Sequence, residues 1–387
     1  MDSLYRRFFA FDHGDLSISR IMRDWWLSVD RSLIYCTGAL ILIGIVLCFA
    51  ASPATAMRLG ISNNYHFIER QLIFMIPALG LLFGISLLPA LQARRLGVLL
   101  FCGSIVFIAI ALLFAPEING AHRWLTFGSF SLQPSEFAKT GFVITAAWLV
   151  AEGARDKTFP GGLIAMGCYG VFALMLLMQP DYGQWLLVTT VWALMFFIAG
   201  WSWLWIAVLG CGAVSAASLG YLYAPHVSRR IDAFLQPETG DTYQVDTAVQ
   251  ALSGGGLLGN PDTEIKYQLP DAHTDFIFAV AGEEFGFLLC LVILGIYAFF
   301  VFRAFQLAAL KNSIFLQAAI CGLAAQIGFQ AIVNIGVSLR VLPAKGMTLP
   351  FISYGGSSLL ATAITVGLIL ALTRKQAPAL RRKEVMP

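Results

Sequence analysis

Long apolar runs are the feature that most constrains how this chain can fold. A membrane-spanning helix needs about 20 predominantly apolar residues, and runs of that kind recur along the 387-residue sequence. Because each run is continuously apolar rather than alternating, helices are favoured over the strands of a membrane barrel. The sequence therefore predicts an all-α integral membrane protein. Its ten predicted spans are residues 32–51, 68–88, 97–115, 136–152, 162–178, 183–199, 203–223, 275–302, 314–337 and 357–373.

The overall composition supports this prediction. Hydrophobic residues make up 58% of the chain and charged residues only 12%, with a mean hydropathy of +0.76. A soluble domain carries about 25% charged residues, so this chain lacks the polar surface to face water on all sides. The net charge of +3 gives no support to nucleic-acid binding.

The basic residues predict the orientation of the chain. Sixteen of the 25 lysines and arginines lie in the two tails and in every second connection between spans. By the positive-inside rule, both termini are then cytoplasmic. The predicted organisation is a cytoplasmic tail (1–31), a membrane domain (32–373) and a basic cytoplasmic tail (374–387). A large extracytoplasmic loop (224–274) separates spans 7 and 8.

Polar loops are concentrated on the predicted outer side. They are residues 116–135, the large loop and residues 338–356. Loops positioned by a rigid scaffold carry function, so the work of this protein is predicted to be extracytoplasmic. Within the large loop, Tyr243–Leu252 is predicted to form an amphipathic helix lying on the outer leaflet. The next segment, SGGGLLGNP (253–261), is predicted to be flexible and turn-forming.

A carboxylate stands where the large loop meets span 8. In LPDAHTDFIFAVAGEEFG, Asp275 opens the apolar run, and Glu283 and Glu284 follow about two turns deeper. One interpretation makes Asp275 a helix N-cap. The other makes it a general base at a polar–apolar boundary. Ionisable residues inside a span are costly and point to function, so the two glutamates favour the second interpretation.

Two stretches near span 4 supply cations on the same side. In NGAHRW, Arg123 and Trp124 pair a phosphate ligand with an interfacial anchor. In LQPSEFAK, a helix is predicted to start near Pro134, and Glu136 and Lys139 then share one face. The simpler interpretation is a capped helix with its own ion pair. The functional one is a cation held ready for a pyrophosphate.

The stretch LPAKGMTLPFISYGGSS (342–358) is too rich in proline and glycine for a regular helix. It is predicted to fold back at membrane depth, which is tolerated only where backbone is buried in protein or lines a wet cavity. A plain turn is the alternative. The side chains predicted to line that cavity are Lys345, Ser353, Tyr354, Ser357 and Ser358.

Together these motifs resemble the SEDS family (shape, elongation, division and sporulation proteins). The blocks NGAHRW, SLQPSEFAK, QPDYG, LPDAHTDFIFAVAGEEFG and LPAKGMTLPFISYGGSSLL occur in family order, and the resemblance covers about residues 30–373. The last block is more similar to the division member than to the elongation member. The resemblance implies a peptidoglycan glycosyltransferase that polymerises lipid II at the outer face of the bacterial cytoplasmic membrane. It further implies septal wall synthesis with release of undecaprenyl pyrophosphate.

The resemblance also implies roles for individual residues. Asp275 matches the essential acidic residue of the family, whereas His122 and Arg340 depart from the usual pattern and are given no role. No permanently bound cofactor is expected, and a divalent cation (Mg²⁺ or Mn²⁺) between substrate phosphates is left open. The predicted substrate-binding residues are Arg123, Trp124, Glu136, Lys139, His273, Thr274, Lys345, Ser353, Tyr354 and Ser357.

By the same resemblance, the expected partner is a class B penicillin-binding protein, whose transpeptidase crosslinks the new glycan. Other division proteins of the membrane and the membrane lipids complete the expected contacts. Two functions from other classes remain open. A lipid II flippase would need polar groups through the depth of the membrane. A non-catalytic division scaffold would leave the setting of Asp275 without a purpose.

Overall fold

The computed structural model describes residues 18–375, apart from 118–119, 129, 201–202, 224–227, 229–231, 233, 236–241 and 344–345. The tails predicted at both termini therefore lie largely outside the described residues. Helices account for most of the remainder. They are α1 (Ile18–Ser28), α2 (Arg31–Arg58), α3 (His66–Ser86), α4 (Ala90–Phe114), α5 (Pro134–Arg155), α6 (Gly161–Met178), α7 (Tyr182–Ile198), α8 (Trp203–Tyr223), α9 (Tyr243–Gly254), α10 (Ile277–Ala309), α11 (Ile314–Ser338) and α12 (Gly356–Thr373).

Each predicted span coincides with one of these helices, α2 to α8 and α10 to α12. Within the described part of the chain, seven helices are long and apolar enough to cross a membrane, namely α2, α3, α4, α6, α10, α11 and α12. Helix α7, with 17 residues, is a shorter apolar helix, and α5 carries four charged residues. The all-helical membrane fold is confirmed. The count of ten spans and the cytoplasmic termini stay predictions.

Three helices form the centre of the bundle. The apolar windows of α11 and α12 are 78% and 89% buried, against 28% for α3, α4 and α10. Helix α5 packs between α4, α6 and α11 and is buried over most of its length. The outer helices keep apolar side chains on the surface, as lipid-facing helices do. Polar side chains on α5 and α11 are therefore enclosed by protein.

The N-termini of α5, α10 and α12 lie at the same end of the bundle, which we call the site end. The Ser357 hydroxyl, in the first turn of α12, donates to the carbonyl of Ser131 just before α5. The Tyr354 N–H donates to the carbonyl of His273 just before α10. At the opposite end, Arg303 near the C-terminus of α10 pairs with Asp30 at 2.7 Å.

A hairpin and a surface helix cover the site end. Strands β1 (Leu125–Phe127) and β2 (Phe130–Leu132) pair antiparallel just before α5. Pro134 occupies the first turn of α5, where its missing N–H costs nothing. The expected helix α9 is confirmed. Its predicted resting place on the outer leaflet is wrong, because Val245 and Ala248 are buried where α9 packs against α10.

Helix α10 is broken at Gly286, whose φ of 79° and ψ of −179° are not helical. The segment predicted to be flexible docks at this break. The Asn260 N–H donates to the carbonyl of Glu283 at 2.8 Å, and the Phe287 N–H donates to that of Gly256 at 2.9 Å. The loop thus supplies backbone partners that the interrupted helix lacks, so the prediction of flexibility at residues 253–261 is corrected.

Candidate functional site

Residues 339–355 join α11 to α12, and the part of them that is described contains no regular helix. We call them the broken segment. The Ser353 hydroxyl accepts the Leu349 N–H at 2.7 Å and donates to the carbonyl of Thr274 at 2.5 Å. With the Tyr354 bond to His273, these contacts fasten the broken segment to the residues just before Asp275. The described part of this segment is irregular, as predicted, whereas its depth in the membrane and its lining of a cavity stay predictions.

Asp275 lies half-buried where the loop meets the broken segment. A Cβ atom placed on Gly346 would stand 2.9 Å from its Oδ2, so carboxylate and glycine are nearly in contact. Helix α10 begins at Ile277 with Phe276 as its N-cap residue, and the Phe276 side chain makes no cap hydrogen bond. Asp275 is therefore not the N-cap residue of this helix, which corrects that interpretation of it. Its carboxylate faces the broken segment instead.

Glu136 and Lys139 form an ion pair at 2.9 Å, as their spacing predicts, and both are almost fully buried. Lys139 also contacts the side-chain oxygens of Gln330 at 2.7 Å and Gln184 at 3.4 Å. The Gln184 amide in turn donates to Glu136 at 2.5 Å. A charge buried at this depth requires such pairing. Lys139 is thus held by three partners.

One face of α11 connects this ion pair to Asp275. The Gln330 amide nitrogen donates to the carbonyl of Thr348 at 2.9 Å. One turn later, the Asn334 amide nitrogen donates to the carbonyls of Asp275 at 2.8 Å and Met347 at 2.6 Å. The structure therefore brings the predicted base, the broken segment and the Glu136–Lys139 pair together on α11.

Arg123 is fixed by backbone at the start of α7. Its guanidinium donates to the carbonyls of Gln179 at 2.9 Å and Pro180 at 2.5 Å. The Gln179 side chain donates back to the carbonyl of His122 at 2.8 Å. Three guanidinium N–H groups remain beyond these two bonds, and Arg123 is half-buried. It can still offer charge and donors to an anion.

An aromatic cluster closes the site end near α3. The ring of His273 lies 4.2 Å from Phe67 and 5.3 Å from Tyr354, centroid to centroid. Burial lowers the pKa of His273 to about 4, so the imidazole is neutral at physiological pH. Burial raises the pKa of Tyr354, and the nearby Arg70 guanidinium opposes that shift. Arg70 itself is exposed, which makes it a cation open to ligand.

The remaining predicted residues divide into three groups. The Ser357 hydroxyl accepts the Gln133 N–H at 3.1 Å and donates to backbone. Like Ser353, it braces the site, and its substrate contact stays a prediction. Thr274 and Trp124 are half-buried at the site end, and the Thr274 hydroxyl donates to the carbonyl of Asp271. Lys345 lies outside the described residues.

Glu283 and Glu284 are engaged by the large loop. The Thr263 hydroxyl donates to Glu283 Oε1 at 2.9 Å, and Lys266 forms an ion pair with Glu284. Glu283 is fully buried, and its Oε2 has no hydrogen-bond partner within the described part of the chain. Both glutamates thus hold the loop on the break of α10 at Gly286.

Sequence reasoning missed four polar side chains of this site, Gln184, Gln330, Asn334 and Arg70. A signal existed for two of them. Gln326, Gln330 and Asn334 recur every four residues within an otherwise apolar span, so they lie on one helical face. Polar residues inside a span usually face the bundle interior. Arg70 carried no such signal, because an arginine near the end of a span is also expected where the span simply meets the membrane surface.

Fold and site together define the class: a multi-pass helical membrane protein with charged groups gathered at one end of the bundle. A family model described as "Cell cycle protein", covering FtsW, RodA and SpoVE, matches residues 30–377. A protein named probable peptidoglycan glycosyltransferase FtsW, from Caulobacter vibrioides, is 41% identical over 91% of each chain. Another of that name, from Thiomicrospira cyclica, is 35% identical over 90% of this chain and 93% of its own.

Solved structures agree with these sequence relatives. One, named "Structural coordination of polymerization and crosslinking by a peptidoglycan synthase complex", contains a chain with a TM-score of 0.74 and 28% identity. It matches over 90% of this chain and 98% of that one. A crystal structure of the rod shape determining protein RodA from Thermus thermophilus has a TM-score of 0.68 at 28% identity. Its match covers 91% of this chain and 99% of that one. This chain belongs to the FtsW/RodA/SpoVE family, the SEDS family whose motifs it carries.

Proposed function

We propose that this chain is a peptidoglycan glycosyltransferase that polymerises lipid II into β-1,4 glycan strands. The observation that carries the proposal is the place of Asp275, half-buried at the site end with its carboxylate against Gly346 of the broken segment. The relatives named peptidoglycan glycosyltransferase support it. A lipid-tethered sugar reacts at the membrane surface, so its base has to lie at the end of a span.

Asp275 acts as the general base in this mechanism. Its carboxylate takes the proton from the 4-hydroxyl of an acceptor N-acetylglucosamine while that oxygen attacks the anomeric carbon of a lipid-linked donor. The bond from that carbon to the pyrophosphate breaks, and undecaprenyl pyrophosphate leaves with the electron pair. Attack from the opposite face inverts an α donor to a β product, which needs one carboxylate base and no covalent intermediate.

The leaving pyrophosphate needs cations. Arg70 is exposed beside Tyr354, and Arg123 keeps N–H groups beyond its two backbone bonds. We assign the pyrophosphate contacts to these two arginines. Lys139 is too enclosed for direct contact, since it is 3% exposed and held by Glu136, Gln184 and Gln330. Its role is to hold α5, α7 and α11 together at the site end.

A divalent cation plays no defined part in this mechanism. Within the described ranges of the chain, no three His, Cys, Asp or Glu side chains come together as a metal site would require. These residues do not fit a protein-held metal. A Mg²⁺ or Mn²⁺ ion would have to be held by the substrate phosphates, and no step assigned to this chain depends on it.

The proposal extends to place and partner. In this proposal the site end faces the outside of the bacterial cytoplasmic membrane, an orientation supported by the basic residues of the opposite connections, and the protein acts at the division septum. Its partner is a class B penicillin-binding protein that crosslinks the new glycan, with other division proteins around the pair. The relatives named FtsW support the division role. The similar synthase complex, named for polymerization and crosslinking, supports such a partner.

The distribution of charge favours an enzyme over a flippase. On α10 no charged residue lies between Glu284 and Arg303, and on α5 none lies between Lys139 and Glu152. A flippase path for a pyrophosphate headgroup would need charged groups across that depth. The test supplies purified lipid II to the protein, alone and with a co-purified class B partner. Polymer supports the proposal, whereas lipid II translocation in proteoliposomes without any polymer contradicts it.

A further inference from the structure

Asn334 has no role in the mechanism above, yet it contacts the two chain segments that meet at Asp275. Its side chain is 1% exposed in the middle of the bundle. Its amide nitrogen donates to the carbonyl of Asp275 at 2.8 Å and to that of Met347 at 2.6 Å. A primary amide has two N–H donors, so both are used. One side chain therefore ties the residue carrying the base to the broken segment.

A further contact between these segments lies at the side chain of Asp275. Gly346, next to Met347, has no side chain, and Asp275 Oδ2 lies 2.9 Å from the point where a Cβ of this residue would stand. Asn334 thus holds the backbone carbonyl of Asp275, and the carboxylate of Asp275 lies against Gly346 of the broken segment. Asn334 therefore adds to the Ser353 and Tyr354 bonds a contact at Asp275 itself.

Burying the Asn334 amide in this way costs folding free energy. Its Oδ1 has no hydrogen-bond partner among the described residues, and a buried unsatisfied oxygen destabilises the fold. An apolar side chain of the same shape would remove that cost, but it would also release both carbonyls. The site therefore uses the two N–H donors of Asn334, which an apolar side chain would lack.

We propose that Asn334 is a positioning residue for glycosyl transfer, which holds the Asp275 carboxylate in place against the broken segment. The inference rests on the proposed function of Asp275. Asn334 does not reach the substrate, so its loss is expected to lower kcat and leave substrate binding unchanged. A displacement of about 1 Å at a catalytic group can cost about a hundredfold in rate.

The test compares Asn334→Leu and Asn334→Gln with the wild type in a lipid II polymerisation assay, with the class B partner present. Asn334→Leu keeps the shape and loses both donors, whereas Asn334→Gln keeps both donors on a longer stem. Thr365→Val is the matched control. It removes a buried hydroxyl pair, Thr365 with Thr140 at 2.7 Å, and it does not touch Asp275.

We expect kcat of Asn334→Leu to fall at least about tenfold, with KM for lipid II within about twofold of the wild type. Asn334→Gln is expected to recover part of that loss. The control keeps kcat within about twofold, although its melting temperature falls comparably. Combined with Gly346→Ala, the effect of Asn334→Leu on kcat is expected to be less than additive, since both changes displace one carboxylate.

Wild-type kcat in Asn334→Leu would overturn the inference, and so would a fall in kcat no larger than that of the control. If Asn334→Leu does not purify as a monodisperse protein, Asn334→Gln and its cycle with Gly346→Ala decide, because full additivity contradicts a shared role. Failure of the proposed function looks different. In that case the wild type itself makes no polymer with its partner, whereas here the wild type polymerises and the variants match it.

Discussion

Replacing Gly346 with alanine tests whether the Asp275 carboxylate is the reacting group. The new Cβ would stand 2.9 Å from Asp275 Oδ2, 3.7 Å from its Cγ and 3.9 Å from its Oδ1. Ordinary contacts of a Cβ begin near 3.4 Å, so Oδ2 has to retreat by about 0.5 Å. Gly346 is not among the glycines with positive φ, so the backbone accepts alanine without strain.

The expected result separates stability from activity. The group that has to move is the end of a side chain rather than backbone, so the melting temperature is expected to change by no more than about 2 °C. Half an ångström at the base is expected to lower kcat about tenfold, which corresponds to about 1.4 kcal/mol of activation free energy. The assay is steady-state polymerisation of lipid II beside a thermal-shift measurement in detergent.

Gly103→Ala is the matched control, because a Cβ at that position meets nothing within 4 Å. It is expected to keep the wild-type rate. Gly346→Ala polymerising at the wild-type rate would refute the reasoning. A loss of activity that follows a parallel loss of folded protein would refute it equally, since the change would then act on the fold.

The ionisable groups of the site end lead to three more predictions. Lys139→Met leaves Glu136 buried without its cation, so the variant is expected to lose about 3–5 kcal/mol of stability. The double variant with Glu136→Gln is expected to regain much of that stability in the same thermal-shift assay. Equal melting temperatures of the single variant and the wild type would contradict this prediction. Arg70→Ala is expected to raise KM for lipid II several-fold, with the melting temperature nearly unchanged because Arg70 is exposed; an unchanged KM would remove Arg70 from the pyrophosphate site. Because the pKa of His273 is about 4 in the folded state and about 6.5 in the unfolded one, protonation favours unfolding as the pH falls from 6.5 to 4, a loss of about 3 kcal/mol. Melting curves of His273→Leu across that pH range are expected to be flatter than those of the wild type, and identical curves would count against the burial argument.

Long apolar runs were enough to predict most helices of this fold. All ten predicted spans fall on helices, because a run of about 20 apolar residues has few other stable conformations. The two predictions that were wrong concern tertiary packing. Helix α9 covers α10 rather than the leaflet, and residues 253–261 dock at the break of Gly286. Both depend on contacts between separate segments of the chain, which no local pattern specifies.

The site was predictable in its charged members and less so in its connections. Spacing along one helix predicted the ion pair of Glu136 and Lys139, since residues three apart share a face. The link from that pair to Asp275 runs through Gln330 and Asn334 on another helix. Contacts between helices depend on tertiary packing, so sequence spacing within one helix cannot supply them.

The most direct test of the account compares wild type with Asp275→Asn in glycan polymerisation from purified lipid II. Both proteins are co-purified with the class B partner and checked to be monodisperse. Asparagine keeps the size of the side chain and removes its ability to take a proton. The account predicts glycan strands from the wild type and none above background from Asp275→Asn. Equal polymer from both proteins would contradict the assignment of Asp275 as the base.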